Sequence, residues 1–177
     1  MPDPWPMTVS AYHALGEMGL IPEKTELLYG VVYPKMPKSP LHSALLTQIF
    51  QLLWQLIPVG LHLRQEQPVE CLDSEPEPDL SVVKGGAKDY VQAHPNTAEL
   101  VIEICLTSHD YDRKKLKAYA RAGVKECWLV LVPERQVEVY RRPNGDSYSQ
   151  QTTVLNGASL TCEGLPQVSL DSQLLFS

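Results

Sequence analysis

The chain has 177 residues, 44% hydrophobic and 20% charged, which suits one globular domain over 1–177 with a single real core. The longest mostly apolar stretch, 44–63, is broken by Gln48, Gln51, Gln55, Pro58 and Gly60, so no membrane-spanning segment is expected. A net charge of −6 does not advertise a nucleic-acid binder.

The opening residues, Met1-Pro-Asp-Pro-Trp-Pro, lack the basic region and apolar core of a signal peptide. Four cysteines (Cys71, Cys105, Cys127, Cys162) show no paired close spacing, so neither a zinc site nor a disulfide framework is indicated. A reducing, cytoplasmic setting follows.

In chain order, 8–18 reads as a short helix, with Thr8 as N-cap and Gly19 as its stop. Residues 26–33 read as a hairpin or bent strand turning at Gly30. Pro34, Pro37 and Pro40 make the next segment an extended loop. Ser39-Pro40 opens the clearest helix, a good N-cap followed by a good first residue. Leu41, Leu45, Leu46, Ile49, Leu52, Leu53 and Leu56 recur along it at helical spacing, and it stops before Pro58. His42, in its first turn, reads as a surface or capping residue rather than a catalyst.

Strands are expected over 61–71 and 79–83, then a loop with at most one helical turn over 89–96. A strand over 99–105 leads into a helix that Gly123 stops, and 126–132 is a further buried strand. Residues 136–141 alternate like an antiparallel strand with one wet face. A hairpin turn at 143–146 returns the chain through 147–154, and the tail, 165–176, is apolar enough to dock. This order implies an α/β or α+β domain: a mixed central sheet flanked by helices.

The stretch 99–119 carries the chemistry. Alternation points Leu100, Ile102 and Ile104 one way and Val101, Glu103 and Cys105 the other. Glu103 is then a carboxylate inside a buried strand, where an unpaired charge costs several kcal/mol or more. It needs a cation, a hydrogen-bond network or a metal. Asp79 lies 24 residues upstream, enough for a strand, a loop and a strand. Two such carboxylates on neighbouring strands could hold Mg2+ or Mn2+, which favour hard oxygen ligands. On the following helix Leu116, Tyr119 and Ala120 form the apolar stripe. Lys115 flanks it, its stem able to pack while its head leans over the sheet; Lys114 falls on the wet side and Lys117 on the other flank. Spacing alone equally allows a plain Glu103–Lys115 ion pair, with Asp79 as a turn acid.

The same helix gives a basic run, Arg113, Lys114, Lys115, Lys117, Arg121 and Lys125, with no acid within it. It is either a solvated face or a surface for phosphates. Apolar residues near the C-terminus (Trp128, Tyr140, Leu174, Leu175, Phe176) suggest a surplus that a homodimer would bury.

Five blocks stand out: Glu26-Leu-Leu-Tyr-Gly, Ser39-Pro-Leu-His42, Glu75-Pro-Glu-Pro-Asp79-Leu-Ser-Val-Val, Leu100-Val-Ile-Glu103 and the run from Lys115 to Val130. Together they resemble a family of uncharacterised bacterial proteins, the putative restriction endonuclease family of the PD-(D/E)XK nuclease superfamily. The resemblance implies a restriction-endonuclease-like core and a Mg2+- or Mn2+-dependent endonuclease acting on DNA. It also implies that Asp79 and Glu103 are the metal carboxylates, Lys115 the catalytic lysine and Glu26 an accessory acid. The superfamily usually places its lysine two residues after the glutamate. Cys105 stands there, and Lys115, in the next helix, matches instead. The alternatives are a non-catalytic nucleic-acid-binding module and a structural dimer on the same fold.

Overall fold

The structure, a computed structural model, describes residues 5–107 and 109–176. Residues 1–4, which open the segment read as lacking signal-peptide character, lie outside the described residues, as does Ser108. The first helix, α1 (Val9–Glu17), starts where Thr8 accepts a hydrogen bond from the Ala11 N–H. The hairpin of β1 (Thr25–Leu28) and β2 (Val31–Pro34) turns through Tyr29 and Gly30, both at positive φ. Gly30 is needed there, because a Cβ would come within 2.5 Å of Pro6. Helix α2 (Pro40–Trp54) begins at the Ser39 cap and buries Leu45, Leu46, Ile49 and Leu53.

A six-stranded mixed sheet carries the rest: β3 (Leu61–Gln65), β4 (Leu80–Lys84), β5 (Leu100–Cys105), β6 (Glu126–Leu131), β7 (Gln136–Asn144) and β8 (Ser147–Leu155). Neighbours run in chain order, and only β5 and β6 are parallel. Their crossover contains helix α3 (His109–Arg121), as a parallel pair requires. β7 and β8 are joined by a two-residue turn, Gly145-Asp146, with Gly145 at φ 59°.

The alternation in β5 holds. Leu100, Ile102 and Ile104 pack with α2, while Val101 and Cys105 pack with Ala118 and Tyr119 of α3. The two helices therefore cover opposite faces of the sheet. On the α2 face the tail docks as β9 (Ser159–Cys162), β10 (Leu165–Asp171) and a 3-10 turn, Ser172–Leu175.

One sequence expectation changes, one strand is new, and one motive for expecting a homodimer weakens. The strand expected over 61–71 stops at Gln65, because Glu66 turns into the left-handed region (φ 50°) and Pro68 has no N–H to continue a ladder. β9 was not foreseen. Trp128, Tyr140 and Leu175 are buried in the chain's own core, which removes most of the apolar surplus that suggested a homodimer. Among the described residues no helix is long and apolar enough to cross a membrane.

Candidate active site

Register brings the two carboxylates together. β4 and β5 pair antiparallel with Leu80 opposite Ile102, so Asp79, one residue before β4, meets Glu103. The Asp79 N–H donates to Glu103 Oε2 (3.4 Å), and the Ile104 N–H donates to Asp79 Oδ2 (2.7 Å). Asp79 is thereby held against the strand that carries Glu103. Both side chains are buried.

Glu103 faces α3. Its Oε1 accepts from the Tyr119 hydroxyl (2.7 Å) and lies 3.3 Å from Lys115 Nζ. Lys115 and Tyr119 are four residues apart, so one helical face delivers both groups. The Lys115 ammonium also lies 3.5 Å from Glu26 Oε1 and 4.0 Å from Asp112 Oδ1, with the Tyr111 ring 5.4 Å away. Glu26, from β1, accepts from the Tyr111 hydroxyl and from the Glu77 N–H (3.1 Å). The structure thus brings together the four residues singled out in the sequence: Glu26, Asp79, Glu103 and Lys115.

Asp79 meets a different set of partners, which the sequence did not reveal. Lys38, in the proline-rich loop before α2, donates to Oδ1 at 2.6 Å and also pairs with Glu66. His42 Nε2 lies 3.2 Å from Oδ2, and His42 Nδ1 is buried with no hydrogen-bond partner among the described residues. His42 is therefore not the surface residue its place in a first helical turn suggested. The one signal that pointed to it was the Ser39-Pro-Leu-His42 block of the family resemblance.

These surroundings push the two carboxyls apart. Burial alone would raise Asp79, but the hydrogen bond from His42 and the Lys38 charge outweigh it and hold the carboxyl below the usual range. For Glu103 burial wins: it pushes the carboxyl up to about 8 despite the opposing pull of Lys115. Burial also works against the Lys115 ammonium, yet Glu103, then Glu26 and Asp112, outweigh it and hold the lysine firmly protonated.

Among the described residues no group of three or more His, Cys, Asp or Glu side chains is arranged to hold a metal ion. Mg2+, however, is commonly bound by one or two carboxylates, with water and substrate oxygens completing its shell. Adjacent Asp79 and Glu103 offer hard oxygens of that kind, so the donor set fits.

The basic run of α3 is not a bare stripe. Arg113 donates to Glu138 (2.6 Å), Lys117 lies 3.0 Å from Asp146, Arg121 donates to Asp73 (2.9 Å), and Lys125 donates to Glu99 (2.6 Å). Acids distant in sequence offset most of its positive sign.

No curated protein matches the chain. Its fold is similar to a crystal structure described as a putative nuclease belonging to DUF820 from Anabaena variabilis ATCC 29413. The TM-score is 0.76 and the identity 19%, over 92% of this chain and 96% of that one. The family described as Uma2, putative restriction endonuclease, matches residues 12–173. With nearly the whole length matched, the chain belongs to the Uma2 putative restriction endonuclease family.

Proposed function

We propose that the protein is a Mg2+- or Mn2+-dependent DNA endonuclease that hydrolyses a phosphodiester bond. The observation that supports this most is the convergence of Asp79, Glu103, Glu26 and Lys115 into one buried cluster in a chain of this family. Asp79 and Glu103 would hold the cation, with Asp79 already ionised. A divalent cation there would polarise the phosphate and lower the pKa of an attacking water.

Lys115 supplies a fixed positive charge beside Glu103, suited to orienting that water and offsetting charge on the phosphate. Glu103, then Glu26 and Asp112, keep Lys115 protonated, and the hydroxyls of Tyr111 and Tyr119 fix the Glu26 and Glu103 carboxyls that face it. In the reaction, the water oxygen bonds to phosphorus as one P–O ester bond breaks. The water gives up one proton as it bonds, and the leaving alkoxide takes one up, so the protons balance. The four free, buried cysteines support a cytoplasmic setting.

One observation favours a second reading. Glu103 already has Tyr119, Lys115 and the Asp79 N–H as partners, as a purely structural pair holding strand to helix would. A nicking assay on supercoiled plasmid separates the two. Wild-type protein with Mg2+ is expected to nick, while EDTA, Asp79→Asn and Lys115→Ala each abolish nicking. No nicking by well-folded wild type over a range of DNA substrates and both metals would favour the structural reading.

A further inference from the structure

Lys38 stands where the proposed nuclease chemistry has no use for it. Its ammonium donates to Asp79 Oδ1 at 2.6 Å, on a carboxylate expected to carry the metal. It comes from a loop punctuated by Pro34, Pro37 and Pro40, and its side chain is 35% exposed. A monovalent cation on a flexible stem thus occupies one lone-pair direction of a buried metal carboxylate, with open solvent behind it.

Its second partner is equally unusual. Glu66 also pairs with Lys38, and the Glu66 backbone is left-handed at φ 50°, a conformation uncommon for a residue with a side chain. That conformation is tied to the site, because the Glu66 N–H donates to the Asp79 carbonyl at 3.0 Å. The backbone of Glu66 is therefore fixed to Asp79 while its carboxylate faces the lysine that Asp79 holds. Lys38 can leave Asp79 and still keep a counter-ion.

We propose that Lys38 is a positioning residue that competes with the divalent cation for Asp79, and that Glu66 is the partner it keeps when the cation displaces it. The inference rests on Asp79 being a metal carboxylate. In the absence of metal, Lys38 neutralises Asp79 and holds it in place. Once displaced, its ammonium stays paired with Glu66 beside the site.

Calorimetric titration of Mn2+ into the full chain tests this without reference to cleavage. Lys38→Met is expected to bind Mn2+ about tenfold more tightly than wild type, as loss of a competing contact worth one decade would give. Lys38→Arg is expected to stay within about threefold of wild type, since it keeps the competing charge. Glu66→Gln is expected to bind more weakly, because Lys38 then has only Asp79. Lys35→Met controls for general charge: Lys35 lies on the same loop but pairs with Glu77, and its removal is expected to change affinity less than about threefold.

Equal affinity in wild type and Lys38→Met, with binding still lost in Asp79→Asn, would overturn this inference alone. A gain in Lys35→Met as large as in Lys38→Met would also overturn it, reducing the effect to net charge. No Mn2+ binding by wild type or by Lys38→Met would overturn it together with the metal assignment on which it rests.

Discussion

Two glutamates are buried in the neighbouring parallel strands β5 and β6, each beside a cation, and they are built differently. Glu126, on the α2 face, is closed on all sides. Its Oε1 accepts from Trp128 (2.6 Å) and Arg141 (3.1 Å), while its Oε2 accepts from the Glu163 N–H (2.8 Å) and lies 3.0 Å from Arg141 Nε. Arg141 also donates to the Thr161 carbonyl (2.6 Å), so this pair stitches β6 and β7 to the β9 segment. Glu103, on the α3 face, meets its lysine through one oxygen, shares that lysine with Glu26 and Asp112, and sits against a second carboxylate. A planar guanidinium bonded to one oxygen of the acid and 3.0 Å from the other makes a joint. Here one ammonium is shared by three acids while Lys38 holds the fourth, and burial raises Glu103, an arrangement more typical of functional sites than of structural joints.

The largest expected effects come from removing each cation. Arg141→Ala leaves Glu126 buried without its charge partner and is expected to cost about 3–5 kcal/mol. Lys115→Ala should cost somewhat less, because Glu103 can relieve the loss by keeping a proton, and that loss should shrink at pH 5 relative to pH 8. Urea denaturation of both variants at the two pH values checks this. A Lys115→Ala loss independent of pH would mean that Glu103 is an ordinary ionised partner.

The next effect is on the pH dependence of stability. Glu103 is raised from an ordinary 4.5 to about 8 by burial. The folded state therefore binds its proton more tightly, and the stability this contributes is full below 4.5 and lost as pH climbs through about 8. Without metal, the wild-type melting temperature should fall across that window. Glu103→Gln, which cannot lose a proton, should show a flatter profile. Parallel profiles would show that Glu103 titrates normally.

The smallest effect is expected at the outer face of α3. Lys117 and Asp146 are about half exposed, so Lys117→Ala should change stability by about 0–1 kcal/mol. A chemical melt within error of wild type would mark that pair as a surface contact, unlike the two buried ones.

The fold was legible where a single period carries the information. Helix α2 followed from Ser39-Pro40 and its leucines, and the split faces of β5 followed from strict alternation. The Glu103–Lys115 meeting was legible for the same reason, since a strand and the next helix fix which side chains can touch. Lys38 and His42 were not, because a proline-rich loop has no period from which to read where its side chains land. Neither was the Glu126–Arg141 joint legible. Each residue looked ordinary in its own strand, and only β9, a four-residue strand with too little pattern to see, completes the enclosure. The ion pairs of the basic run from Arg113 to Lys125 were not legible either, because its counter-ions, Asp73, Glu99, Glu138 and Asp146, come from other parts of the chain.

Whether Glu103 and Asp79 form a working site, rather than a second joint like that of Glu126, is decided most directly by thermal melts with and without Mg2+ or Mn2+. Wild type and Lys117→Ala are expected to gain several degrees with metal, while Asp79→Asn and Glu103→Gln gain none. No gain in wild type, or an equal gain in all four proteins, would contradict a metal site at these two carboxylates.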